Sequence, residues 1–304
     1  MPVNSFGVEI PDRVFAVNAP GCGSLIRQGM IESVLLGDDR TLEERSRFVD
    51  IFFDLVNRVK DDFEFEASTF ELFKKEFAPV VQKNPMALAL TRTHHMAGLI
   101  VPHLNRGATL DFGSGAGFLG ETIDFRHRGV TLSEIYQSPE IEKRGLPFVL
   151  LPKSGPLPFQ TAQFDNVLAC VVLHHCNDPR AILAEFVRIL KPGGRLIVVE
   201  SVYGLTPEEQ SKTPKNDFSR RFFDLDIKEQ SAYIGFCDYI GNRCTHYTPD
   251  PEKKTPVPYN YLTPSMWRHL IEDVGFKFEF MQPLGIDFFN RKSHIFHSLM
   301  TAIK

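Results

Sequence analysis

The run Leu110-Asp-Phe-Gly-Ser-Gly-Ala-Gly-Phe-Leu-Gly120 constrains this chain more than any other stretch. A short apolar strand ends in a turn crowded with glycine, and a helix follows. Glycine permits positive φ and lets a ligand lie against bare backbone. Beyond the turn, short apolar runs alternate with helical patterns. The runs fall at Thr109–Phe112, Gly129–Ile135, Phe148–Leu151, Asn166–Val171 and Arg195–Glu200, and a helical pattern covers Pro179–Leu190. A helix at Thr263–Val274 and strands near Phe276–Met281 and His294–Ile303 follow later. The alternation predicts an α/β fold, a doubly wound and mostly parallel seven-stranded sheet with helices on its faces.

The chain has 304 residues, room for one large domain with an appendage. The first 38 or so residues are weakly patterned and broken by Pro11, Pro20, Gly21 and Gly23. Thr41-Leu-Glu-Glu44 then reads as a capping box. Phe48, Ile51, Phe52, Leu55, Val56 and Val59 follow at helical spacing. Further helical stretches cover Phe70–Phe77 and Leu88–Leu104. We expect residues 1–87 to be a helical extension packed beside the sheet's carboxyl edge, and residues 88–304 to be the catalytic domain. Between Ser201 and Leu262 the rhythm breaks into prolines, charges and aromatics, and this insert is expected to form a lid over the acceptor.

A net charge of −4, with no dominant basic run, argues against nucleic acid as the main substrate. The five cysteines include no Cys-x-x-Cys, which suits free thiols in a reducing cytosol better than disulfides or a zinc knuckle. No run is apolar enough to suggest a membrane span or a secretory leader. The 27 Phe point to a pocket with aromatic walls. Composition leaves oligomeric state open.

Two cofactor classes use a turn like Gly113–Gly117. Gly115-Ala-Gly-Phe-Leu-Gly120 matches G-x-G-x-x-G, with Glu134 nineteen residues after Gly115, as in dinucleotide folds. Asp111, two residues before the first glycine, weighs against a pyrophosphate and for a ligand carrying an ammonium and a sulfonium. Leu157-Pro-Phe159, Phe164-Asp-Asn-Val167, Leu173-His-His175, Asp178-Pro179 and Leu190-Lys-Pro-Gly-Gly194 follow in order. The last reads as a glycine-based helix stop leading into a strand. Together these motifs resemble the class I S-adenosylmethionine (SAM) dependent methyltransferases, in the methyltransferase type 11 branch that includes the ubiquinone and menaquinone C-methyltransferases. The resemblance covers about Thr109 to Glu200 closely, and Tyr261–Phe276 less specifically.

The resemblance implies SAM as cofactor and assigns residues to it. Gly113, Ser114, Gly115 and Gly117 would lie under its methionine portion, with Asp111 near the ammonium. Glu134 would take the ribose hydroxyls, although its strand, Gly129–Tyr136, is unusually polar. The family's acidic residue beside the adenine is replaced here by Lys153, followed by Ser154. Cys170 and Val171 would border cofactor and acceptor. Arg92, on the helix before the first strand, could meet the SAM carboxylate in two-point geometry. Gly117 and Gly120 could instead serve only helix–strand packing, and Asp165 could hold the start of the fourth strand.

For the acceptor, His175 is the candidate general base, because histidine titrates near neutrality and the position follows strand four. His174 is expected to be structural. Tyr233, Asp238, Tyr239, Asn242, Arg243, His246 and Tyr261 are candidate acceptor contacts, and Arg243 could instead make a structural ion pair. His246, Asp238 and His175 could in principle gather round an ion, but no ligand spacing supports it and no metal is expected. His294 and His297, three apart on a strand, face opposite sides. The expected function is methyl transfer to a partly apolar small molecule. A non-catalytic SAM-binding protein, a protein or RNA methyltransferase and, more distantly, an NAD-dependent oxidoreductase are the alternatives.

Overall fold

A computed structural model of the chain describes residues 3–32, 40–76, 85–213, 216–285 and 295–304, with backbone only over 85–91. Its centre is one seven-stranded sheet of order β3-β2-β1-β4-β5-β7-β6. The strands are β1 (Thr109–Phe112), β2 (Val130–Glu134), β3 (Phe148–Leu150), β4 (Phe164–Cys170), β5 (Leu190–Ser201), β6 (Lys277–Gly285) and β7 (His297–Ile303). β1 pairs in parallel with both β2 and β4, so Asp111 lies between Leu132 and Leu168. β7 runs antiparallel between β5 and β6. Chain order reverses between β1 and β4, and a crevice opens there at the strands' carboxyl ends.

Helices α1 (Arg13–Asn18), α2 (Pro20–Ile31), α3 (Leu42–Arg58), α4 (Asp62–Glu76) and α5 (Pro85–Ile100) precede the sheet. The boundary expected at 87/88 falls inside α5. Thr41 and Glu44 cap α3 reciprocally, as its capping box predicts. Phe48, Phe52, Leu55 and Val56 are buried, but Ile51 sits on the outer rim and is exposed. The weakly patterned start holds two helices that the sequence did not suggest. Asp12 caps α1, and Pro20 begins α2 rather than breaking it, because a helix's first turn has no bond for proline to lose. Gly21 and Gly23 are there for close packing: a Cβ on Gly23 would stand 2.2 Å from the Val17 carbonyl.

After β1 come α6 (Phe118–His127), α7 (Pro139–Lys143) and α8 (Pro179–Ile189). Asp178 caps α8 and Pro179 opens it. α8 buries Leu183, Phe186 and Ile189, each worth roughly 1.5–3 kcal/mol. It stops at Leu190 in extended backbone, ahead of the glycines; Gly193, at φ +74°, makes a turn within β5 instead. Asp165 holds the start of β4, accepting from the Ala108 amide and the Lys191 ammonium at 2.8 Å each.

The insert leaves and rejoins the domain at one point, where Val202 bridges Leu262. It contains α9 (Pro207–Lys212), α10 (Asp217–Phe223), α11 (Ile227–Tyr239) and a π-helical turn over Ile240–Thr245. α12 (Pro264–Asp273) returns the chain to the sheet. The principal partners of α1 and α2 outside the N-terminal helices are α10 and α11, and Phe52 meets Phe236 while Phe65 stacks on Tyr239. Helices α1, α2 and α4 therefore join the insert in one helical cap, whereas α5 packs on α6 and on the sheet through Met96, Ala97 and Ile100. No helix among the described residues is long and apolar enough to cross a membrane.

Candidate active site

The glycine turn at the end of β1 separates packing glycines from an open one. A Cβ on Gly113 would collide with Val172 at 2.2 Å, and Gly117 and Gly120 abut Leu132 in the same way. At Gly115, φ +55°, a Cβ would meet no described atom within 4 Å. That face is bare backbone looking into the crevice. Beside it stand two buried polar atoms without hydrogen bonds, Asp111 Oδ2 and Ser114 Oγ. Burial, and then the charge of Glu134, push the Asp111 carboxyl up to about 7. A buried carboxylate in this state calls for a cation. The ammonium and bare-backbone requirements of SAM fit this cradle, where Asp111, Ser114 and Gly115 would hold the amino-acid end.

Glu134, at the end of β2, accepts from the Gly115 amide at 3.1 Å and the Ile135 amide at 2.7 Å. Burial raises its pKa. Arg92 on α5 remains exposed to solvent while protein atoms crowd it enough to lower its pKa, the position of a group on a cleft rim. Its charge counters, in small part, the burial that pushes up the Cys170 thiol at the end of β4. Lys153 and Ser154 are exposed, and Lys153 pairs with Glu252 of the insert rather than turning inward.

Val171 has φ +55°, a conformation that costs a β-branched residue about 1–3 kcal/mol. Its amide donates to the Val199 carbonyl at 2.7 Å. The next two amides, of Val172 and Leu173, donate to Glu200 Oε1 at 3.0 and 2.6 Å. One carboxylate at the end of β5 thus holds the strained turn that leads into Leu173-His174-His175.

Glu200 also organises the histidines. Its Oε2 accepts from His174 Nδ1 at 2.5 Å, and His174 Nε2 lies 3.4 Å from Asp238 Oδ1. Burial alone would depress His174, but the Glu200 and Asp238 carboxylates outweigh it and push its pKa to about 10. His175 donates from Nδ1 to the Pro256 carbonyl at 2.8 Å, leaving Nε2 3.9 Å from Asp238 Oδ1. Burial and the neighbouring His174 charge bring His175 down to about 4. Asp238 receives the Tyr261 hydroxyl at 2.5 Å and the Asn242 amide at 2.9 Å.

Of the candidate acceptor contacts, Asp238, Asn242 and Tyr261 meet at this histidine pair. Tyr239 and Arg243 do not; both bond to the buried Glu66, at 3.2 and 2.8 Å, and Lys254 joins them at 2.5 Å. Arg243 is thus in a structural ion pair. Tyr233 is sealed in the core against Phe218 and Phe222 because α11 turns that face inward. His246 is exposed just after the π-helical turn, which carries it off the Asp238 side, and it joins no ion-binding group. His294 lies outside the described residues. Sequence reasoning missed Glu200 and undervalued His174. The available signal was an acidic residue closing the apolar run Leu196–Val199, at the edge where ligands bind. A separate cavity of about 250 Å³ lies in the helical cap, between Pro11, Asp62, Phe236, Tyr239 and Tyr259, and none of its walls comes from the glycine turn.

The chain is similar to known proteins over part of its length. Residues 110–198 match the family model of the methyltransferase domain. An uncharacterized protein of Methanocaldococcus jannaschii is 31% identical over 164 residues, covering 52% of this chain and 78% of that one. The ubiquinone biosynthesis O-methyltransferase of Idiomarina loihiensis is 30% identical over 131 residues, 40% of this chain and 51% of its own length. Among solved structures, the 1,6-didemethyltoxoflavin N1-methyltransferase of Burkholderia thailandensis, with its substrate and S-adenosylhomocysteine bound, aligns at a TM-score of 0.46 and 18% identity, over 81% of this chain and 91% of that one.

Proposed function

We propose, on the match of residues 110–198 to the methyltransferase domain, that the chain is a SAM-dependent methyltransferase and that it methylates a partly apolar small molecule held between the glycine turn and the helical cap. The observation that carries this reading is the open face of Gly115 beside the unpaired oxygens of Asp111 and Ser114. SAM supplies an electrophilic methyl group when bound. The chain's work is to bind, align and exclude water.

On the cofactor side, Asp111 and Ser114 would hold the ammonium end and Glu134 the ribose. Arg92 stands on the rim as the counter-charge for a carboxylate. The turn at Cys170–Val171 forms the floor between cofactor and acceptor. On the acceptor side we assign orientation and proton removal to the cluster around His175, with Asp238, Asn242 and Tyr261. The insert is assigned to closing the cleft, and helices α1, α2 and α4 to bracing the insert. Similarity to a quinone-pathway O-methyltransferase and the aromatic lining of the cap both favour a small, partly apolar acceptor.

Calorimetric titration with SAM and with NADH, followed by a search for methylated product in a panel of phenolic and quinol acceptors, tests the reading. We expect SAM binding and transfer to at least one acceptor. NADH binding with no detectable SAM binding would overturn it.

A further inference from the structure

We propose that His174, His175 and Asp238 form a binding site for one divalent first-row transition metal at the acceptor end of the cleft. What the cation does there rests on the methyltransferase reading; whether it binds does not. These three residues are the one group of potential metal ligands found among the described residues, and their ligand atoms all lie within 4.8 Å of one another. Ligand atoms about 2.0–2.1 Å from a tetrahedral ion stand roughly 3.3 Å apart. The 3.4 Å and 3.9 Å separations from Asp238 Oδ1 are close to that.

The ring orientations point the same way. A ligating histidine commonly gives its far N–H to a carboxylate or carbonyl, which fixes the ring and aims the other nitrogen at the metal. Both rings here are held so: Glu200 takes the Nδ1 proton of His174, and the Pro256 carbonyl takes that of His175. Both Nε2 atoms then face one oxygen of one carboxylate. His174 Nε2 is wholly buried and has no hydrogen bond, although it is aimed into the cluster. Asp238 is braced in turn by Tyr261 and Asn242. Two buried carboxylates, Glu200 and Asp238, flank the pair, and a cation between them offsets their charge.

Two imidazoles and one carboxylate suit zinc or iron(II) rather than magnesium or calcium. Three protein ligands leave a position open, as catalytic metal sites do. A cation held there supplies Lewis acidity beside the acceptor. The inference therefore favours acceptors that present an ionisable hydroxyl. The sequence hid the site because His174-His175 and Asp238 are far apart in the chain and match no ligand spacing.

The test is a cobalt(II) titration of the purified, chelator-treated full chain, read by visible absorption, with SAM binding measured on the same samples. We expect one equivalent of tightly bound cobalt. His175→Gln, at a half-buried ring, and Asp238→Asn should each weaken it at least about tenfold. Glu200→Gln, which touches no metal, should weaken it by about 10–100-fold. No cobalt absorption, or an unchanged band in a folded His175→Gln protein, overturns the site. SAM bound without a cobalt site sinks this inference and leaves the methyltransferase reading; cobalt bound without SAM does the reverse. Should Asp238→Asn fail to fold, His175→Gln decides alone.

Discussion

The two walls we propose for the cleft, one for the cofactor and one for the acceptor, are built on opposite plans. The cofactor wall is one contiguous turn, Asp111 to Gly117, and it leaves polar atoms unsatisfied next to open space. The acceptor wall is gathered from β5, the turn after β4, α11 and the segment before α12. Most of its polar groups are satisfied by one another: Glu200 by His174 and two amides, Asp238 by Tyr261 and Asn242. The first wall awaits a ligand with its own charges. The second is a preassembled network, in which cutting one member strands its neighbours.

The largest effect should come from the turn itself. Gly115→Val places a side chain where no described atom stands within 4 Å of its Cβ, so it should abolish SAM binding. The protein should still fold, at a cost of about 1–3 kcal/mol for a β-branched residue at φ +55°. Gly113→Val instead drives into Val172 and should cost folding. Calorimetry and thermal melts on the pair separate the two. If Gly115→Val binds SAM normally, the contrast between the walls collapses.

Next is His175→Gln. Loss of this ring, which orients the acceptor or holds the cation beside it, should lower turnover by about 100-fold or more, while the dissociation constant for SAM stays put. Equal losses in turnover and SAM affinity would mean that the two walls are not separable.

Asp111→Asn tests the unsatisfied wall by pH. Burial raises this carboxyl from its ordinary value to about 7, so the ligand-free folded state holds a proton that the unfolded state releases at much lower pH. The penalty is absent below about pH 4, grows between pH 4 and 7, and is full above pH 7. Removing the charge should therefore stabilise the ligand-free protein at pH 8, on the order of 2–4 kcal/mol, and do little at pH 4. It should also weaken SAM binding about tenfold or more, because an ammonium loses its counter-charge. Denaturant titrations at the two pH values read the first effect. A stabilisation equal at both would remove Asp111 from the site.

In the helical cap, Arg243→Ala should cost about 1–3 kcal/mol by leaving Glu66 with Lys254 and the Tyr239 hydroxyl, without changing SAM affinity. The smallest effect belongs to Lys153→Ala. Its exposed pair with Glu252 should be worth less than about 1 kcal/mol, and SAM affinity should hold, because the ammonium faces outward. A large loss of affinity there would return Lys153 to the adenine end of the site.

What could be read from the sequence was what a few consecutive residues encode. Short apolar runs and period-3.6 patterning set the strands and helices, the Thr41–Glu44 and Asp178-Pro179 signals set two helix starts, and the glycine turn set the crevice. These are local: the residues that carry each signal are within one turn of the groups they act on. The tertiary structure decided the rest. Pro20, Gly21 and Gly23 read as breakers, and only the packing of α2 on α1 and α11 makes them helical. Tyr233, Tyr239 and Arg243 had the chemistry of acceptor contacts, but the facing of α11 and of the π-helical turn after it sent them to the core and to Glu66. Glu200, His174, Asp238 and Tyr261 are far apart in sequence and meet because β4 and β5 end side by side with α11 laid across them. A buried charge is tolerable only where distant partners converge on it, and no sequence spacing reports that convergence.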